Sequence, residues 1–305
     1  MSINLKAKIY NDEDAARAHL EKLQWPEGPV CPHCGVIDNA AKLEGKSTRP
    51  GVYKCRDCEK PFSVTVGTVF ERSHIPLTKW LLATQLLTSS KKGISAHQLH
   101  RMLGVTYKTA WFMAHRIREA MTPKNPPQLG GEGKTVEMDE TYIGRRVGPH
   151  GAGIASKIAV VSLVERGGKL ISFHLGKATK INVQAALHAN VHPKSVLMTD
   201  ESNFYKRDTG MKHHTVTHSL GEYVRYTKGE TIHTNTIEGV FSIFKRGMVG
   251  VYQHCGEQHL QRYLNEFDFR YSHRAALGVD DAERAEKALT GIGGKRLTYR
   301  RIVQA

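Results

Sequence analysis

Three carboxylates in the second half of the chain have the residue types and settings of a metal-assisted phosphoryl-transfer site. Asp139 stands in MDETYIG, Asp200 in VLMTDE sixty-one residues later, and Glu238 in HTNTIEGVFSIFKRG thirty-eight residues after that. The first two each close a short apolar run that reads as a strand, and the third lies on an amphipathic helix, so all three can converge at one end of a sheet. Like charges in a shared site repel and raise one another's pKa unless cations offset them. Two divalent ions about 4 Å apart remove that cost, and they also activate the attacking oxygen and stabilise the leaving oxygen of a phosphodiester. Lys245 follows Glu238 by seven residues, two turns along the same helix face, where its ammonium can grip a phosphate. Asn235, one turn before Glu238, shares that face and is placed to orient water or contact DNA. Taken singly, Asp139 or Asp200 reads equally as a strand-end cap and Glu238 as an exposed helical residue. Their joint occurrence carries the metal-site reading. Glu140 follows Asp139 directly, and because successive strand residues face opposite ways, the pattern alone does not say which of the two turns inward.

A second constellation lies upstream. Cys31-x-x-Cys34 and Cys55-x-x-Cys58, with twenty residues between the pairs, have the spacing of two knuckles that close a four-thiolate shell around a structural zinc ion. Such an ion is coordinatively full and holds the fold rather than doing chemistry. The alternative, unligated thiols or a redox pair, lacks the thioredoxin-like strand and helix context. His33 reads as a surface residue, and the isolated Cys255 as a packed thiol.

These residues need elements to position them. Residues 7–25 read as an amphipathic helix ending before Pro26, and three helical patterns follow between about 77 and 121. The last two have a helix-turn-helix layout with Thr106 as N-cap, which offers Tyr107, Lys108 and Thr109 to a DNA major groove and Arg116 and Arg118 to phosphates. An ordinary helical hairpin is the competing reading. TPKNPPQLGGEGK, with three prolines and three glycines in thirteen residues, reads as a linker. Beyond it come strands at 134–143, 157–166 and 169–176, a helix at 181–190, a strand ending at Asp200, a weaker strand near 213–217 and a long helix at 234–248. The order describes an α/β domain with a mixed sheet, on which Ile237, Val240, Phe241 and Phe244 would pack.

The 305 residues suffice for about two domains. Lys and Arg number 44 against 29 Asp and Glu, a net charge of +15 that favours a polyanionic partner. With neither a membrane-span pattern nor a secretory h-region, a soluble cytoplasmic protein with no membrane partner is expected.

CPHCG, YKCRDCEKPFSVTVGTVFERSHIPLTKW, MDETYIG, LMTDE and HTNTIEGVFSIFKRGMVGVYQHCGEQHLQRYLNEFDFRYSHR together resemble bacterial insertion-sequence transposases with an N-terminal zinc ribbon and a DDE catalytic domain. The resemblance runs in order from about residue 10 to 275. It implies an RNase H-like fold, two Mg2+ or Mn2+ ions, and cut-and-join chemistry on double-stranded DNA at element ends and target. Asp139, Asp200 and Glu238 then become the catalytic acids and Lys245 their companion, with Asn235 competing for the third position. Glu140 is left as an outer or surface residue. Arg270 and Arg274 of the last helical segment are offered to DNA. The expected divisions are 1–75 with the ribbon, 76–121 with the helical module, 122–134 as linker, 135–280 as catalytic domain and 281–305 as an extension. A homodimer or larger assembly on DNA is expected, because two ends must be joined. The competing readings are a DNA-binding regulator with an inert second domain and a nuclease that cuts without strand transfer.

Overall fold

The computed structural model describes residues 4–144, 157–176, 178–205, 209–227 and 229–298. The chain divides into two compact units, one formed by residues up to Pro123 with those from Val279 onward, the other by Lys124–Gly278.

The first unit opens with helix α1 (Glu13–Gln24). The expected start near residue 7 is displaced because Asp12 adopts an extended conformation and its carboxylate accepts the N–H groups of Asp14 and Ala15, which makes it the cap rather than an interior residue. Strands β1 (Ala40–Lys42), β2 (Tyr53–Cys55) and β3 (Pro61–Phe62) form a small antiparallel sheet. Helices α2 (Leu77–Ser89), α3 (Ala96–Leu103) and α4 (Tyr107–Met121) follow. Gly104 ends α3 in the left-handed conformation, and the Thr106 hydroxyl accepts the Thr109 N–H to start α4. Tyr107 and Lys108 are exposed and Thr109 half-buried at that start. Arg116 and Arg118 are not offered to phosphates as the sequence implies. They are 7% and 2% exposed, and the Arg116 guanidinium donates to the Glu71 carbonyl at 2.5 Å and lies over the rings of Trp80 and Phe112. A long aliphatic stem lets arginine occupy a core helix face once its head finds acceptors and rings.

The second unit is built on a five-stranded sheet. Strands β4 (Thr135–Ile143), β5 (Ile158–Glu165) and β6 (Leu170–Leu175) pair antiparallel. Helix α5 (Lys180–Asn190) leads to β7 (Val196–Thr199) and β8 (Lys212–Thr215), which run parallel to β4, giving the order β6-β5-β4-β7-β8. This is the mixed α/β sheet that the sequence predicts. A separate two-stranded ribbon, β9 (Val224–Thr227) and β10 (Glu230–His233), precedes helix α6 (Asn235–Gly247), and α7 (Glu257–Ser272) follows. On one face of the sheet Val160, Val164 and Leu170 pack with Ile237, Val240, Phe241 and Phe244 of α6 and with Leu260, Leu264 and Phe267 of α7. On the other, Val136, Met138, Val161 and Leu163 pack with Val183 and Leu187 of α5 and with Tyr205. Arg270 of α7 is buried in an ion pair with Glu266, and the Arg274 guanidinium donates to the carbonyls of Gly168 and Tyr271. Both arginines therefore serve the packing of α7 rather than DNA. Residues 281–290 form helix α8 (Asp281–Thr290), which packs on α2 in the first unit, with Arg284 donating to the Thr88 carbonyl. Among the described residues no helix is long and apolar enough to cross a membrane.

One polar contact ties α6 to the sheet. Glu137, in the middle of β4, is fully buried, yet its carboxylate accepts the Arg166 Nε at 2.6 Å, the Thr236 hydroxyl at 2.8 Å and the Ile237 N–H at 2.9 Å. The last two belong to the first turn of α6, where a negative charge meets the positive end of the helix dipole. Arg166 also donates to the carbonyls of Thr231 and His233 in β10, so one ion pair gathers β4, β10 and the start of α6. Replacing Arg166 by Met leaves a buried carboxylate without its cation, and we expect a loss of about 3 kcal/mol or more in urea unfolding of the metal-free protein. A loss below about 0.5 kcal/mol, the size expected of a surface change, would show that the pair does not anchor the helix.

Candidate metal centres

The four ribbon cysteines are brought together. Each knuckle closes on its own backbone, with Gly35 N–H donating to the Cys31 carbonyl and Cys55 N–H to the Lys60 carbonyl. Gly35 sits at φ 81°, a conformation that favours glycine. The Sγ atoms of Cys31 and Cys58 lie 3.6 Å apart, as do those of Cys34 and Cys55, and all four sulfurs fall within 4.8 Å of one another. Trp25, Tyr53 and Phe62 pack edge-on or stacked against one another and share one apolar cluster with Cys31, Cys55 and Cys58. Burial opposes ionisation of Cys31, yet the N–H groups of Cys34 and His33 and the neighbouring thiols bring it down to about 6. Four crowded sulfurs with one already poised as thiolate are a donor set that fits zinc. His33 is exposed and stands outside the group.

The acidic centre follows from the sheet register. β4 and β7 pair with Thr135 opposite Val196 and Glu137 opposite Met198, an offset of 61 residues. Continuing that register by two residues sets Asp139 beside Asp200, which differ by the same 61. Carboxylate oxygens of Asp139, Glu140 and Asp200 lie within 4.8 Å of one another. Glu140 thus joins the acids instead of lying at the surface. Strand alternation does send it to the α5 face, but there the Tyr205 hydroxyl (2.7 Å) and the Ser202 hydroxyl (3.2 Å) hold its carboxylate at the sheet end. Ser202 also donates its N–H to Asp200 at 3.0 Å, so one residue ties both acids. Asp139 is pushed up to about 8, first by burial and then by the charges of Glu140, Asp200 and Glu238. Burial likewise raises Glu140 and Asp200. Carboxylates held this close and this far from their ordinary range are a hard-oxygen donor set for a divalent cation such as Mg2+ or Mn2+.

Glu238 does not enter the three-acid group. Its side chain is 45% exposed and accepts the Thr234 hydroxyl at 3.0 Å, with His218 Nε2 at 3.3 Å, although its charge still acts on Asp139. Asn235 and Lys245 are exposed one turn before and two turns after it, on the same face of α6. His218 was not foreseen from the sequence. It sits on the loop after β8, where Glu201 accepts its N–H at 2.8 Å and that of Ser219 at 2.9 Å, contacts that help hold the Glu201 carboxyl down at about 2. The loop is thereby fastened to the residue after Asp200, and it sets His218 beside Glu238. A single histidine in a polar loop carries no sequence signal. Glu137 and Glu140 did carry one: they are charges in and beside an apolar strand.

A four-cysteine ribbon ahead of a mixed sheet whose parallel strand ends collect acids is the layout of a DDE-type transposase. Residues 128–272 match the ISXO2-like transposase domain and residues 11–61 match the transposase zinc-ribbon domain, and the chain belongs to the insertion-sequence transposases that join the two. Over 283 residues it is 27% identical to an uncharacterized protein in transposable element ISH50 from Halobacterium salinarum, covering 86% of this chain and 92% of that one.

The raised Asp139 has a consequence for stability. Between its ordinary 3.8 and about 8 the unfolded chain is ionised at this position while the folded chain still holds the proton. The folded state binds more protons, so this group's contribution to stability falls as pH rises through that window. We expect the urea midpoint of the metal-free protein to decline from pH 4 toward pH 8 more steeply in the parent than in Asp139→Asn. Identical slopes would contradict the placement of Asp139.

Proposed function

We propose that this protein is the transposase of an insertion sequence, which binds the ends of its element and catalyses phosphodiester hydrolysis and strand transfer. The observation that carries the reading is the parallel register that sets Asp139 beside Asp200, with Glu238 projecting from a helix fastened to the same strand by Glu137. Asp139, Asp200 and Glu238 would hold the divalent cations, and Glu140 holds Asp200 in place through Ser202. When bound, Mg2+ or Mn2+ ions supply Lewis-acid stabilisation of the attacking and leaving oxygens. Glu238, whose carboxylate accepts the Thr234 hydroxyl and lies beside His218, would complete the set of acids that holds the cations. Lys245 neutralises the phosphate beside the scissile bond, and Asn235 orients the reacting water or the DNA.

Hydrolysis at the element end frees a 3′ hydroxyl, and the same site directs it at a target-strand phosphate. No covalent enzyme intermediate is needed. The start of α4, where Tyr107 and Lys108 are exposed beside the half-buried Thr109, reads end DNA in the major groove, supported by the zinc ribbon and by the net charge of +15. Joining two ends requires a dimer or larger assembly on double-stranded DNA, working in the cytoplasm at the nucleoid.

On DNA carrying the element's terminal repeats, Asp139→Ala, Asp200→Ala and Glu238→Ala are each expected to lower cleavage by about 10²- to 10³-fold or more while end binding stays near that of the parent. Gel assays of cleavage and band shift measure the two separately. Full cleavage in any one variant removes that residue from the site, and tight end binding by a parent that cuts under no metal condition favours the regulator reading.

A further inference from the structure

Of the large apolar side chains exposed among the described residues, three cluster within seven positions: Leu220 at 83%, Tyr223 at 61% and Tyr226 at 80%. They lie on β9 and the loop that leads into it. The ribbon is anchored at its base, where Ile232 of β10 packs with Met198 and Val216, and where Arg166 holds the carbonyls of Thr231 and His233. Its register pairs Arg225 with Ile232 and Tyr226 with Thr231, so the face that carries Ile232 is turned to the core and the face that carries Tyr226 is turned away. Exposing tyrosine rings on an anchored ribbon has a solvation cost with no return inside the unit, which marks a contact surface.

One member of this group, Tyr223, reaches toward the acids. The Tyr223 ring lies 5.4 Å from that of His218, and His218 Nε2 lies 3.3 Å from Glu238 Oε1. Tyr223 therefore stands one side chain away from Glu238, the third acid of the proposed site. Under the transposase reading, on which this inference rests, the occupant of that site is the DNA strand holding the scissile phosphate. Arg225 of β9 is held by Glu222 at 3.2 Å and donates to the Thr215 carbonyl at 2.9 Å, which fastens the ribbon that carries the tyrosines. An aromatic ring beside a cutting site offers a base a stacking partner that replaces the one it loses when the strand leaves the duplex.

We propose that Tyr223 and Tyr226 form a stacking platform for bases next to the scissile phosphate, and that the ribbon holds the strand open there. The occupant is DNA with bases out of the duplex stack, rather than a second copy of the chain.

The test uses the full-length protein without added divalent metal, so that no cutting intervenes, and end DNA carrying 5-iodouracil at single positions on either side of the cut. Ultraviolet light should cross-link the probe to the peptide containing residues 220–227, and Tyr223→Ala/Tyr226→Ala should remove the cross-link. The same double variant should weaken binding to end DNA with mismatched bases at the cut site by about tenfold or more, whereas Tyr223→Trp/Tyr226→Trp should keep it. Both tyrosines are exposed, so the variants fold, and α-helical circular dichroism checks that they do. No cross-link in that peptide, or unchanged affinity in the alanine variant, overturns the proposal. So does a change in oligomeric state with DNA affinity retained, which would assign the surface to a second copy. A parent that cross-links through the ribbon but cuts under no metal condition fails only the catalytic reading, and one that cuts through Asp139 without this cross-link fails only the platform.

Discussion

The buried carboxylate of Glu137 is the contact on which the second unit depends. It brings the start of α6, strand β4 and strand β10 to one point, through Arg166 and the first-turn donors of the helix. Desolvating a carboxylate and a guanidinium is expensive, and the return here is directional: five donor and acceptor groups fix where α6 begins. From that start the helix periodicity places Glu238 and Lys245 on its open face while Ile237, Val240, Phe241 and Phe244 face the sheet. Two residues past Glu137, the same strand delivers Asp139. The structure thus uses one charged pair, with its carboxylate buried and hydrogen-bonded, to position acids that crowd one another.

That contrast explains the electrostatics. Glu137 has a cation and a helix terminus, whereas Asp139, Glu140 and Asp200 have mainly one another, and Asp139 is pushed up to about 8 as a result. The frustration is held in place by hydroxyl and amide donors from Ser202 and Tyr205, so the acids cannot move apart to relieve it. A centre built this way offers a donor set that fits a divalent cation, and local strain of this kind is typical where binding or chemistry is concentrated. The cysteine ribbon applies the same logic with sulfur: four donors are crowded by local turns until a soft cation is the natural neutraliser.

Much of this was legible from the residues. The strand runs ending at Asp139 and Asp200 stood out as apolar, and their 61-residue separation later proved identical to the register offset between β4 and β7. The cysteine pairs were legible because knuckle geometry is local. What stayed hidden was long-range. The ribbon β9 and β10 escaped because VRYT and ETIH lack an apolar alternation, and β10 owes its place to Arg166, some sixty-five residues earlier. Arg116, Arg118 and Arg270 were read as DNA contacts because sequence shows their charge and not the carbonyls, rings and glutamate that bury them. Alternation leaves open which of Asp139 and Glu140 turns inward and the resemblance selects Asp139 alone, yet at a strand end two directions can still reach one spot. Helix α8 joins the first unit across nearly two hundred residues of chain, a distance over which periodicity says nothing.

The central claim is that the carboxylates at the ends of β4 and β7, together with Glu238, form a divalent-cation centre. Anomalous diffraction from crystals of the protein bound to end DNA and soaked in Mn2+ tests it most directly. The account predicts manganese peaks within roughly 2.0–2.3 Å of carboxylate oxygens of Asp139 and Asp200, with Glu238 drawn from His218 toward the ions. Manganese bound elsewhere, with these carboxylates free of metal in a complex that holds the DNA end, would contradict it.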